Sequence, residues 1–118
     1  MERIFNLLDK IRDNYGVYIG KKSLHDISVL ISGYECAIHD ITGERILFDS
    51  TFQLYIEMKL ESKYYNGKHW DGILLEKYGE DEAFEQFYVY LESFKELYIN
   101  VNGKCLYDVL FSLQLRTK

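Results

Sequence analysis

The sequence predicts an all-α fold: a compact single domain over residues 1–118, a bundle of about five or six helices with room for one short β-hairpin. Three observations point there. Apolar residues recur at helical spacing along most of the chain. Ser23 and Ser50 each stand three residues before a side chain, Asp26 or Gln53, that completes a capping-box pattern. Proline, which would break such helices, is absent. A length of 118 residues suits one domain, and 47% hydrophobic with 16% aromatic residues is ample for a core.

Each element follows from its own stripe. Ile4, Leu7, Leu8, Ile11 and Tyr15 mark an amphipathic helix over residues 2–14. Ser23 opens a second, with Leu24, Ile27, Ile31, Tyr34, Ile38 and Ile41 on its buried face and Gly43 near its end. Gly33 inside this helix costs about 1 kcal/mol relative to alanine, which predicts another element packed closely against it. Ser50 opens a third helix carrying Phe52, Tyr55, Ile56 and Leu60. Asn66-Gly67 is a turn signal. Trp70, Ile73, Leu74 and Tyr78 then give a short fourth helix stopped by Gly79. The fifth is the clearest: Phe84, Phe87, Tyr88, Leu91, Phe94 and Tyr98 form its stripe, while Asp81 and Glu82 suit the positive end of its dipole. After Asn102-Gly103, Leu106, Val109, Leu110 and Leu113 support a last helix, although Val109, Phe111, Leu113 and Leu115 alternate as a strand would. Between the first two helices, Gly16 and Gly20 are expected at positive φ around Val17–Ile19. Tyr15 and Tyr18 would then cover the edge of the core. That stretch and Arg45–Phe48 are the candidate hairpin.

Charge narrows the function. The net charge is −5. Glu76, Glu80, Asp81, Glu82, Glu85, Glu92 and Glu96 face only Lys77 and Lys95 between positions 76 and 96, so this segment holds the whole excess. A basic stripe for nucleic acid is missing, and a basic protein partner suits the segment better. No window approaches the ~20 apolar residues of a membrane span, and the charged start MERIFNLLDKIRD does not read as a signal peptide. A cytoplasmic protein with no membrane partner is expected. Cys36 and Cys105 lack metal-ligand spacing and are expected to be small core residues.

The chemical candidates are thin. Residues 11–20, IRDNYGVYIG, resemble the VRKRPGMYIG phrase of gyrase-type ATPases. Laying Leu24-His25 on that family's Leu-His, however, puts Leu30, Gly33 and Tyr34 where its glutamate base, aspartate and asparagine belong. Without base, metal ligand or phosphate cradle, phosphoryl transfer has no machinery. The order His25, then His39-Asp40, resembles all-helical metal-dependent phosphohydrolases, with Asp71 or Asp108 as a later ligand. Fourteen residues of helix between the two histidines span about 21 Å, too far to share an ion unless the helix breaks, for which Gly33 is the candidate. Glu82/Glu85 and Glu92/Glu96 read as a solvated helix face rather than a cation site. Neither a nucleophile elbow nor a cysteine–histidine pairing is recognisable. No catalytic residue, cofactor, metal or small-molecule substrate is therefore expected.

Binding remains. Tyr64 and Tyr65 precede a predicted loop that runs into Trp70-Asp71, and tyrosine beside acid is what protein interfaces use. The expected partner-binding residues are Tyr64, Tyr65, Asp71, Glu80, Asp81, Glu82 and Glu85, with Trp70 read as a core anchor.

The pattern IR-x3-G-x-YIG-x-KSL-x2-[IL]-x3-I-x-GY at residues 11–34, with Trp70, Ile73 and Glu82-Ala83-Phe84-x2-Phe87, resembles small bacterial immunity proteins of contact-dependent growth inhibition and related polymorphic toxin systems. The resemblance spans roughly residues 2–98, and its motifs are structural. It implies a toxin inhibitor that occludes the C-terminal domain of a cognate toxin, often a basic nuclease. Two other classes stand beside it. A regulatory or structural protein that binds a helical partner would expose an apolar patch along Val109–Leu115. A small metallohydrolase would hold stoichiometric metal.

Overall fold

The computed structural model describes residues 1–60, 67–101 and 105–116, with Leu115 and Arg116 described by backbone alone. Six helices follow one another: α1 (Glu2–Asp13), α2 (Tyr15–Tyr18), α3 (Leu24–Thr42), α4 (Phe48–Lys59), α5 (Trp70–Asn100) and α6 (Leu106–Arg116). The fold is all-α, and the described residues contain no strand. The expected hairpin is absent. Residues 15–18 close a helical turn, in which the Val17 and Ile19 amides reach back to the Asn14 and Tyr15 carbonyls, so neither is free to pair across to Arg45–Phe48. Only Gly20 of the two corner glycines takes positive φ, at 78°, whereas Gly16 lies inside that turn. Tyr15 is half-buried and Tyr18 exposed.

Contacts divide the chain into two units, Met1–Asp49 and Ser50–Lys118, with the boundary in the first turn of α4. In the first unit, Ile4, Phe5, Leu8 and Ile11 of α1 and Leu24, Ile27 and Ile31 of α3 are buried with Ile46 and Phe48. Phe5 meets the Phe48 ring edge-on at 6.2 Å. The Ser23 side chain caps α3 as its spacing predicts, accepting from the Asp26 amide at 3.2 Å. Gly43 ends α3 at φ 73°. The predicted α3 stripe holds for two turns and then leaves the core: Tyr34 and Ile38 are half-buried and Ile41 is 81% exposed. Gly33 is exposed as well, and among the described residues a Cβ there would meet nothing within 4 Å, so no described element packs against it.

In the second unit, the α4 stripe is found as expected at Phe52, Tyr55 and Ile56, though α4 begins at Phe48 rather than after Ser50. Phe48 and Asp49 continue the helical run N-terminally, so Ser50 lies inside the first turn and cannot be the cap. Around Phe52 the rings of Trp70, Phe87 and Phe94 all stand edge-on at 5.1–5.5 Å. Such pairs add about 0.5–1.5 kcal/mol each beyond burial. Trp70 is fully buried, which makes it a core anchor.

Helix α5 is broken where the sequence breaks it. Gly79 sits at φ 79°, ψ 166°, a region essentially reserved for glycine. Trp70 and Phe87, seventeen residues apart, would be about 25 Å apart along a straight helix. Their rings stack at 5.1 Å and 17°, so the two limbs of α5 fold back on each other at Gly79. Residues 106–116 are helical, not extended; Leu106 and Leu110 are buried one turn apart. Gly67 takes φ 79°, in keeping with a turn, while Asn66 and the Asn102-Gly103 signal lie outside the described residues. Both cysteines are exposed rather than core residues. Cys36 lies on the side of α3 that solvent reaches, and Cys105 precedes the first turn of α6.

Candidate partner-binding surface

The second limb of α5 buries Ala83, Phe84, Phe87, Tyr88, Leu91 and Phe94. The 3.6-residue repeat that assigns these to the core dictates what emerges on the other side. Glu82, Glu85, Val89, Glu92, Glu96 and Ile99, spaced by three and four, are all exposed. They form one stripe roughly 25 Å long at 1.5 Å per residue. Four carboxylates carry it, with a branched aliphatic side chain, Val89, 57% exposed in its middle. Glu80 and Asp81 are exposed just N-terminal to the stripe, next to the Gly79 break. Within the acidic segment some charge is neutralised locally: Lys95 approaches Glu92 at 3.5 Å and Lys68 pairs with Glu76. These are surface pairs and hold little energy.

Of the seven expected binding residues, Glu80, Asp81, Glu82 and Glu85 are at the surface together. Asp71 is not with them. It is buried in the first turn of α5, and its Oδ1 lies 2.7 Å from His69 Nδ1. The pair closes the start of α5 beside Trp70, so the Asp71 carboxylate already has a partner inside the protein. Tyr64 and Tyr65 lie outside the described residues. Val89, Glu92, Glu96 and Ile99 were not expected at a binding surface. Their signal was in the sequence: the complement of the buried stripe includes them as directly as it includes Glu82 and Glu85.

Tyrosine hydroxyls meet beside this limb. Tyr78 Oη and Tyr90 Oη are 2.7 Å apart, bridging the two limbs of α5. Burial, and then the hydrogen bond shared with Tyr78, push the Tyr90 phenol up to about 12. Burial also raises Tyr55, while Ser93 beside it acts in the opposite sense. No group reaches the buried Tyr55 Oη with hydrogen-bond geometry among the described residues.

The histidines do not gather. Helix α3 runs unbroken from Leu24 to Thr42 with His25 and His39 both exposed on it, fourteen residues apart. Among the described residues no three His, Cys, Asp or Glu side chains are grouped to hold a metal ion, and no helix is long and apolar enough to cross a membrane. Comparison with protein families, curated proteins and solved structures returns no match to this chain.

Proposed function

We propose that this protein works by binding, as an immunity protein that neutralises a cognate toxin domain, a basic nuclease, by steric and electrostatic occlusion in the cytoplasm. The observation that carries the reading is the exposed acidic stripe of α5. A nuclease surface is cationic because its substrate is a polyanion, and complementary charge steers such a pair together at up to roughly 10⁸ M⁻¹s⁻¹ at low salt. Val89 and Ile99 give the same face apolar area that closes once water is expelled, and the folded-back α5 offers it on a rigid support.

The test is co-purification with the product of the adjacent gene, followed by a nuclease assay on that product with and without this protein. Glu82→Lys with Glu85→Lys should slow association at least tenfold at low salt and flatten its salt dependence, with helicity retained by circular dichroism. Unchanged association would remove the stripe from the interface. A second reading, an interaction protein that binds a helical partner, is favoured by Phe111 and Leu113, 44% and 40% exposed on α6. It predicts partner binding that survives the α5 charge reversals and is lost on Phe111→Ala with Leu113→Ala.

A further inference from the structure

The corner between α1 and α3 is held by its own hydrogen bonds, yet its tip stays out of the core. The Val17 amide reaches the Asn14 carbonyl at 3.1 Å, and the Ile19 and Gly20 amides share the Tyr15 carbonyl at 2.8 and 3.1 Å. Lys22 Nζ lies 5.5 Å from the centre of the Tyr15 ring, a cation–π contact that ties the two ends of the corner together. On this fixed support Val17 is 73% and Tyr18 41% exposed. Apolar side chains already held in place lose little conformational entropy when a partner covers them. The charge around them runs against that of the whole protein, whose net charge is −5. Between positions 10 and 22, four bases, Lys10, Arg12, Lys21 and Lys22, stand against one acid, Asp13, and all five are exposed.

A cationic surface repels this corner, so a basic nuclease does not suit it. An anionic face with an apolar centre does, and the second limb of α5 is such a face. Val89, 57% exposed, has Glu85 one turn before it and Glu92 and Glu96 in the two turns after it, all at the surface. We propose that the basic corner of one copy docks on the α5 stripe of a second copy, Val17 and Tyr18 against Val89 and the lysines against the carboxylates. Two different patches meet, so the contact is heterologous, and each pair leaves one corner and one stripe free to extend a chain or close a ring. One corner on one helix face belongs with contacts below about 1,200 Å², which are weak and transient. Opposite charges draw the copies together, and salt weakens the attraction as the Debye length shrinks from about 30 Å at 0.01 M to about 3 Å at 1 M. A toxin bound as proposed above meets the same stripe, so the two contacts exclude each other; the self-contact itself stands without the toxin.

The test is analytical ultracentrifugation of the full chain alone, so that no outcome depends on nuclease inhibition. At low salt the weight-average mass should about double as the protein approaches roughly 1 mM, the range a contact of this class requires, and high salt should return it to that of one chain. Lys21→Glu with Lys22→Glu should abolish the rise, and so should Glu85→Lys with Glu92→Lys. Val17→Asp, at an exposed side chain, should do the same while leaving the Lys22–Tyr15 contact in place. The chain carrying all four charge reversals restores opposite signs and should associate again with the same salt dependence, as should an equimolar mixture of the two double variants. A mass that stays at one chain throughout overturns the proposal. Association that persists in high salt or in either double variant also overturns it, and moves the contact to another face such as Phe111 and Leu113 of α6. Failure of both the fourfold variant and the mixture to associate removes the assigned pairing of corner with stripe.

Discussion

Two glycines separate what space permits from what the backbone permits. A Cβ at Gly33 or at Gly79 would meet nothing within 4 Å, so neither site resists a side chain by crowding. At Gly33 the backbone is helical and exposed, and alanine loses less conformational entropy on folding. Gly33→Ala should therefore stabilise the protein by up to about 1 kcal/mol. A rise in the urea midpoint with an unchanged m-value would record it; destabilisation would mean that a Cβ at position 33 is not accommodated as the open surroundings imply. At Gly79 the backbone lies at φ 79°, ψ 166°, and the same substitution should cost about 1–3 kcal/mol. Identical surroundings give opposite signs because the dihedral angles differ.

At the scale of elements, the second unit is organised by the fold-back of α5, and its legibility from sequence was uneven for physical reasons. Periodicity located every long helix, because a one-sided apolar stripe has few other uses, and it placed the break at Gly79. It could not say that the two limbs fold back, since the Trp70–Phe87 stack depends on a ψ angle that no residue type encodes. It also misread the last turns of α3, where Ile38 and Ile41 continue the pattern beyond the point at which the core ends. The start of α4 was hidden because its cap, Glu35, whose Oε2 accepts the Asp49 amide at 3.0 Å, is thirteen residues upstream of Phe48 on a different helix. For the binding surface, the acids were legible as charge, but Asp71 is buried: a carboxylate beside tryptophan can equally be an internal partner for histidine, as it is here. Trp70→Ala should test the fold-back directly. Trp70 touches Phe52 and Phe87, so its truncation should cost about 3–5 kcal/mol and lower the thermal midpoint sharply. A small change would mean that the two limbs hold together without the stack.

For the whole molecule, charge state links stability to pH at both ends of the range. On the acid side, burial pushes the Glu35 carboxyl from 4.5 up to about 6, so its proton favours the fold as pH falls toward 4.5. On the alkaline side, Tyr90 holds its proton to about 12 in the fold, above the ordinary 10 of a phenol. The folded state thus binds that proton more tightly than the unfolded chain. The stability it contributes is intact below pH 10 and is lost as pH climbs through 12. Ultraviolet titration at the tyrosinate band should resolve one phenol ionising near 12, and Tyr90→Phe should abolish that step while flattening the decline in stability beyond pH 10. If the late-ionising phenol survives in Tyr90→Phe, the bridge between the limbs of α5 is held by a different hydroxyl, and Tyr55, which burial also raises, becomes the group to replace next.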